Sequence, residues 1–254
     1  MDIIQSLNVK PQTKVGYTYL FKNLERNGFD WDSTPKEIKD FLKAYPIQRQ
    51  LDLLNVILVI YRELGNDIED LKDLRTEFQL KNKDCIHNKL TELDLMHPAE
   101  FLEKMDGLFN DGHYMAYILN YLCYHYGVRN EDLRIHFNDP MGNYLVKTKH
   151  GIEYIRQDYK TIKTYGPKRH VITDAKFLLS YDHVPNGVNW LGKMSNYLKN
   201  KLIITEGKIF KMRIKHMEEH FDTEGIQSLA CSRGTSIACV LSNYNINCSK
   251  YVIR

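Results

Sequence analysis

The run Ser232-Arg233-Gly234-Thr235-Ser236 sets hydroxyls, a guanidinium and a glycine side by side, and Tyr244 follows Thr235 by nine residues. Groups of these types can carry out phosphoryl transfer. A tyrosine hydroxyl, with a pKa of about 10, becomes a nucleophile once a neighbour helps to remove its proton. Its attack on a phosphodiester would build negative charge on a pentavalent phosphorus, which two guanidiniums stabilise in a forked geometry that lysine cannot copy. A lysine or histidine must then give a proton to the leaving oxygen. The chain has 17 tyrosines, so Tyr244 gains meaning only if two arginines and a lysine stand where this chemistry needs them.

The elements that would position these groups can be read from periodicity and punctuation. At 254 residues, 43% hydrophobic and 26% charged, the chain has an ordinary globular composition and is long enough for two moderate domains. Val15, Tyr19, Leu20 and Leu24, then Leu51, Leu54, Ile57, Leu58 and Tyr61, recur at helical spacing. Asn27-Gly28 ends a first helix, Ser33-Thr34-Pro35 opens a second and Ala44-Tyr45-Pro46 separates it from a third. A fourth runs from about Ile68 to Leu90. This predicts an all-helical unit over residues 1–90, with the polar stretch Gln79 to Asn88 as candidate link, and a second unit over 91–254.

Beyond His97-Pro98 the pattern predicts a helix from Ala99 to Met105, an apolar helix from Tyr114 to Tyr126 ended by Gly127, and a helical turn from Asn130 to Leu133. Strand-like segments follow at Tyr144 to Lys149, Glu153 to Lys160 and Val171 to Thr173, with turn signals at His150-Gly151 and Gly166-Pro167. Helices return from Gly192. The expected fold class is therefore mainly α with a small antiparallel β-sheet of three strands, an α+β arrangement.

The net charge of +3 hides a strong asymmetry. Residues 1–90 carry 14 basic and 14 acidic side chains, residues 91–140 carry 3 and 9, and residues 141–215 carry 15 and 5. The last segment is the electrostatic footprint expected for a polyanion partner, although a solvated lysine face would have the same composition. Its candidate contacts are Lys147, Lys149, Arg156, Lys168, Arg169, Lys211 and Lys215, joined by Arg233 further on. Five cysteines, Cys85, Cys123, Cys231, Cys239 and Cys248, form no CxxC pair. Most lie in apolar surroundings and read as reduced core thiols. No metal-ligand cluster, cofactor motif, signal segment or membrane-spanning run is legible, so an intracellular protein without metal or cofactor is expected.

Gly127-Val128-Arg129-Asn130-Glu131-Asp132-Leu133, the basic sheet after it, and Gly234-Thr235 nine residues before Tyr244 together resemble the tyrosine recombinases. The resemblance follows the family's order over nearly the whole chain. It implies Arg129 as first catalytic arginine, Lys160 or Lys163 as the lysine reaching the site, Arg213 as second arginine and Tyr244 as nucleophile. Two positions depart from the pattern. Phe210 stands where the His-x-x-Arg motif carries its histidine, and Thr235 where a second histidine precedes the nucleophile, its hydroxyl remaining able to bond a phosphate oxygen. His216 and His220 are the histidines nearest in sequence to Arg213.

The resemblance further implies a helical core-binding domain and a catalytic domain clamped around double-stranded DNA. Cleavage and rejoining would pass through a 3′-phosphotyrosyl intermediate, and tetramers would form on paired duplexes. The Ser-Arg-Gly-x-Ser wording looks most like recombinase-like proteins of large DNA viruses of eukaryotes, which leaves cytoplasm, nucleus or virion as locations. Binding on the same scaffold without cleavage is the alternative. Each residue also has an ordinary role open to it: Arg129 as a cation at a helix C-terminus, Arg213 as part of a basic face, Tyr244 as an amphipathic tyrosine.

Overall fold

A computed structural model describes residues 2–91, 94–184 and 194–244, with side chains over 3–85, 94–184 and 194–241. The chain divides into two compact units, Met1–Lys89 and Leu90–Arg254. Mainly helical structure with one small sheet makes up the fold. Among the described residues, no helix is long and apolar enough to cross a membrane.

The first unit holds α1 (Asp2–Ser6), α2 (Pro11–Arg26), α3 (Pro35–Leu42), α4 (Ile47–Glu63) and most of α5 (Glu69–Thr91). Thr34 opens α3 with a reciprocal cap: its backbone N–H donates to Glu37 Oε2 at 2.8 Å, and the Glu37 N–H donates to Thr34 Oγ1 at 3.4 Å. α4 is apolar almost all round, and Leu53, Leu54, Val56 and Ile57 are fully buried among Leu24, Ile38 and Leu42. α5 continues through Gln79 to Asn88, the stretch the sequence offered as a link. Gln79, Lys81 and Lys83 are good helix formers, and all three are exposed.

The second unit is built on α6 (Pro98–Asn110) and α7 (Tyr114–Tyr126). Ile118, Leu119, Leu122 and Cys123 of α7 lie in its core. Gly127 ends α7 in the left-handed region at φ 58°, a conformation that favours glycine. A 3-10 turn, Asn130–Leu133, leads to β1 (Ile135–Phe137), β2 (Asn143–Thr148), β3 (Gly151–Arg156), the short α8 (Ile162–Tyr165) and β4 (Lys168–Ile172). Then come α9 (Ala175–His183), α10 (Met194–Leu198), α11 (Glu206–Glu219), α12 (Thr223–Arg233) and α13 (Ile237–Tyr244).

The sheet differs from the expectation. Among the described residues it has four strands in the order β1-β2-β3-β4, and β1 runs parallel to β2 while the other pairs are antiparallel. Parallel neighbours normally need a long crossover. Here β1 has three residues, so the chain need retreat only about 10 Å to start β2, within reach of the five-residue connection 138–142. Asn138 makes the reversal with φ 55°, a left-handed conformation that asparagine tolerates. β3 ends at Arg156 and not at Lys160, while β4 begins at Lys168, three residues before the predicted start.

A second cluster, formed by Phe210, Ile214, Met217, Ile226, Leu229, Ala230 and Val240, holds α11, α12 and α13 together. Cys123 is buried, whereas Cys85, Cys231 and Cys239 are exposed. Cys231 and Cys239 are exposed, because each falls on the outward face of an amphipathic helix whose inward face supplies the apolar neighbours seen in sequence. Cys248 and the tail from Asn245 to Arg254 lie outside the described residues.

Candidate functional site

The Ser232–Ser236 run folds as the C-terminal cap of α12. Gly234 is left-handed (φ 70°, ψ 55°). Its N–H donates to Cys231 O at 3.1 Å and the Thr235 N–H donates to Ala230 O at 3.0 Å. A Cβ at Gly234 would stand 2.6 Å from a ring carbon of Tyr159, so only glycine fits both the backbone angle and the space.

Three distant segments cap the carbonyls exposed by this ending. Arg156 Nη1 donates to Ser232 O at 3.0 Å. Arg129 Nη1 donates to Arg233 O at 2.9 Å, and Arg156 Nη2 reaches the same oxygen at 3.3 Å. Thr161 Oγ1 donates to Gly234 O at 2.6 Å. Guanidiniums at a helix C-terminus meet the negative end of its dipole. Arg129, the Lys160–Lys163 connection and Gly234-Thr235, far apart in sequence, therefore meet at one corner.

Arg156 and Arg233, both expected on a DNA-contacting surface, are buried. Arg156 is 0% exposed, with its guanidinium 4.6 Å over the Tyr159 ring. Arg233 is 6% exposed; its Nη1 donates to Gly127 O at 2.6 Å and its Nη2 pairs with Glu206 at 2.6 Å. Composition counts charge but not direction: Arg156 ends β3 on an inward-facing position, and Arg233 closes the last turn of α12 against α7. Asp132, 1% exposed, faces Arg156 Nη2 at 3.5 Å. Burial pushes its carboxyl above the ordinary carboxylate range, and the Arg156 charge opposes that rise.

The remaining basic residues separate into neutralised and unneutralised groups. Lys147 pairs with Asp182 at 2.7 Å, and Arg169 makes a two-pronged pair with Glu153 at 2.9 and 2.6 Å. Lys149, Lys160 and Lys163 are exposed and form no ion pair among the described residues. Lys168 lies beside the corner, its Nζ 3.7 Å from Cys231 Sγ. Lys211 and Lys215 are half-buried along α11.

Arg213 is half-buried; its Nη1 donates to the Tyr124 carbonyl and its guanidinium lies 4.5 Å over the Tyr124 ring. Phe210, at 1% exposure, is a core residue. At the far end of α11, His216 packs on His220 and on His97, with ring centres 4.2 and 5.6 Å away. Thr235 is half-buried. Tyr244 is the last residue of α13; its side chain lies outside the described residues.

Sequence reasoning missed His170. It stacks on Tyr126 at 4.2 Å, and its Nε2 is 3.4 Å from Ser232 Oγ. The single hydroxyl proton of Ser232 goes to Tyr126 O at 2.9 Å, so Ser232 can only accept and the imidazole must donate through Nε2–H. Burial, then the Arg156 and Lys168 charges, bring its pKa down to about 4, leaving the ring neutral near pH 7. No spacing in the chain points to it, because the contact joins β4 to the ends of α7 and α12.

Compared with known proteins, the chain matches no family model, no curated protein and no solved structure.

Proposed function

We propose that the second unit binds double-stranded DNA on a tyrosine-recombinase-like scaffold and transfers a strand to Tyr244. What supports this reading is the convergence of Arg129, the Lys160–Lys163 connection and Gly234-Thr235 on one corner. A phosphodiester there would meet a guanidinium, two exposed lysines and a hydroxyl. In the reaction Tyr244 Oη gives up its proton to water and bonds to phosphorus, the P–O5′ bond breaks, and Lys160 or Lys163 gives the leaving 5′ oxygen its proton. The 3′-phosphotyrosyl link keeps the bond energy for rejoining. Arg213 would complete the pair of guanidiniums after leaving Tyr124, and the first unit would supply the second DNA-contacting arm.

A second reading, duplex binding without cleavage, is favoured by Phe210. A core phenyl ring cannot move a proton, and general acid–base groups contribute about 10² to 10⁴ in rate. One experiment separates the two. Purified protein is incubated with labelled nicked duplexes, SDS-resistant adduct is scored, and binding is titrated at several salt concentrations. An adduct lost in Tyr244→Phe supports strand transfer, salt-sensitive binding without adduct supports the second reading, and no binding removes both.

A further inference from the structure

We infer that Arg156 is the positioning residue of this corner, fixing Arg129 and the end of α12 without touching DNA. The inference rests on the recombinase-like reading for its functional meaning, while its geometric part stands without it. Arg129 is held at both ends by groups that Arg156 also holds. At its backbone, the Arg129 N–H donates to Asp132 Oδ2 at 3.2 Å, and that same oxygen faces Arg156 Nη2 at 3.5 Å. At its side chain, Arg129 Nη1 and Arg156 Nη2 share the Arg233 carbonyl at 2.9 and 3.3 Å. A carbonyl oxygen has two lone pairs, and here both are taken.

The result is a closed circuit running from Arg156 through Asp132, Arg129 and the Arg233 carbonyl back to Arg156. Arg156 adds a tie to Ser232 O, and Tyr159 lies under its guanidinium and against Gly234. Only a planar fork can serve two successive carbonyls and a carboxylate together; a lysine ammonium on a flexible stem is a point charge. Full burial keeps the guanidinium from any phosphate. The circuit aims Arg129 and holds Gly234-Thr235 at the start of the turn to α13.

The test compares Arg156→Lys, which keeps charge and loses the fork, with Arg156→Met, which loses both. Hydrogen exchange is followed at the Gly234 and Thr235 amides and at core amides of α7, and DNA affinity against salt and single-turnover adduct formation are measured on the same samples. The expected result is faster exchange at Gly234 and Thr235 in Arg156→Lys with α7 unchanged, together with slower adduct formation. Arg156→Met should leave the slope of log affinity against log salt at its wild-type value, whereas losing a phosphate ligand lowers that slope by about one. Wild-type exchange at the corner in Arg156→Lys would overturn the inference, and so would a reduced slope in Arg156→Met. If the wild-type protein has no DNA affinity, the recombinase-like reading falls, and corner exchange in Arg156→Lys alone decides whether Arg156 holds this end of α12. Should Arg156→Met not fold, Arg156→Lys carries the comparison, because a role resting on charge alone predicts no change in it.

Discussion

The guanidinium of Arg233 lies 4.1 Å over the ring of Phe210. Phe210 stands three residues before Arg213, and its ring supports the arginine that ties α12 to α7 and pairs with Glu206. Phe210→Ala should therefore cost about 3–5 kcal/mol, the range for a buried aromatic truncated to alanine. Phe210→His should also destabilise, since it buries polar nitrogens among Ile214, Leu229 and Ala230. Urea unfolding of both variants checks this; wild-type stability in Phe210→His would show that the site is not apolar.

Gly234→Ala should lower stability by about 2–4 kcal/mol, combining a left-handed backbone with overpacking against Tyr159. Gly107 provides the contrast. It lies within α6, where a Cβ meets nothing within 4 Å, so Gly107→Ala should stabilise by up to about 1 kcal/mol. Thermal melts of the two variants should shift in opposite directions.

Lys160→Gln and Lys163→Gln should each reduce the salt slope of duplex binding by about 0.9 if each neutralises one phosphate. Lys147→Gln should change it far less, because Asp182 already accompanies that charge. Fluorescence anisotropy across a salt series measures all three. Equal effects at Lys147 and Lys163 would mean that overall charge, and not the corner, governs binding.

His170 predicts a pH dependence of stability. Its pKa is about 4 in the fold against about 6.5 in an unfolded chain. Between these values the unfolded state binds the extra proton, so stability falls as pH drops from about 6.5 towards 4, by at most about 3 kcal/mol from this residue. Denaturation midpoints at pH 7 and pH 4.5 should differ less in His170→Phe than in wild type. An equal difference would place the acid sensitivity elsewhere.

Much of the helical framework was legible. The α4 and α7 segments show their apolar periodicity, Thr34-Pro35 marks a capped start and Gly127 a stop, because these signals act within one turn of chain. β1 was not legible: three residues carry too little alternation, and the parallel pairing depends on where Asn138 turns the chain. The candidate site was half legible. Arg129 and Gly234-Thr235 stand in recognisable local contexts, but the burial of Arg156 and the presence of His170 have no local signature.

Local signals specify a helical chain with a basic midsection and a glycine-ended helix ahead of Tyr244. Packing settles which of those basic groups face solvent and which face carbonyls. Charge is a property of a residue, whereas a hydrogen-bond partner is a property of a place. The places that hold Arg129, Arg156 and Arg233 come into being only when β3, α7 and α12 pack, and the unpaired carbonyls at a helix end then draw in the nearest guanidiniums.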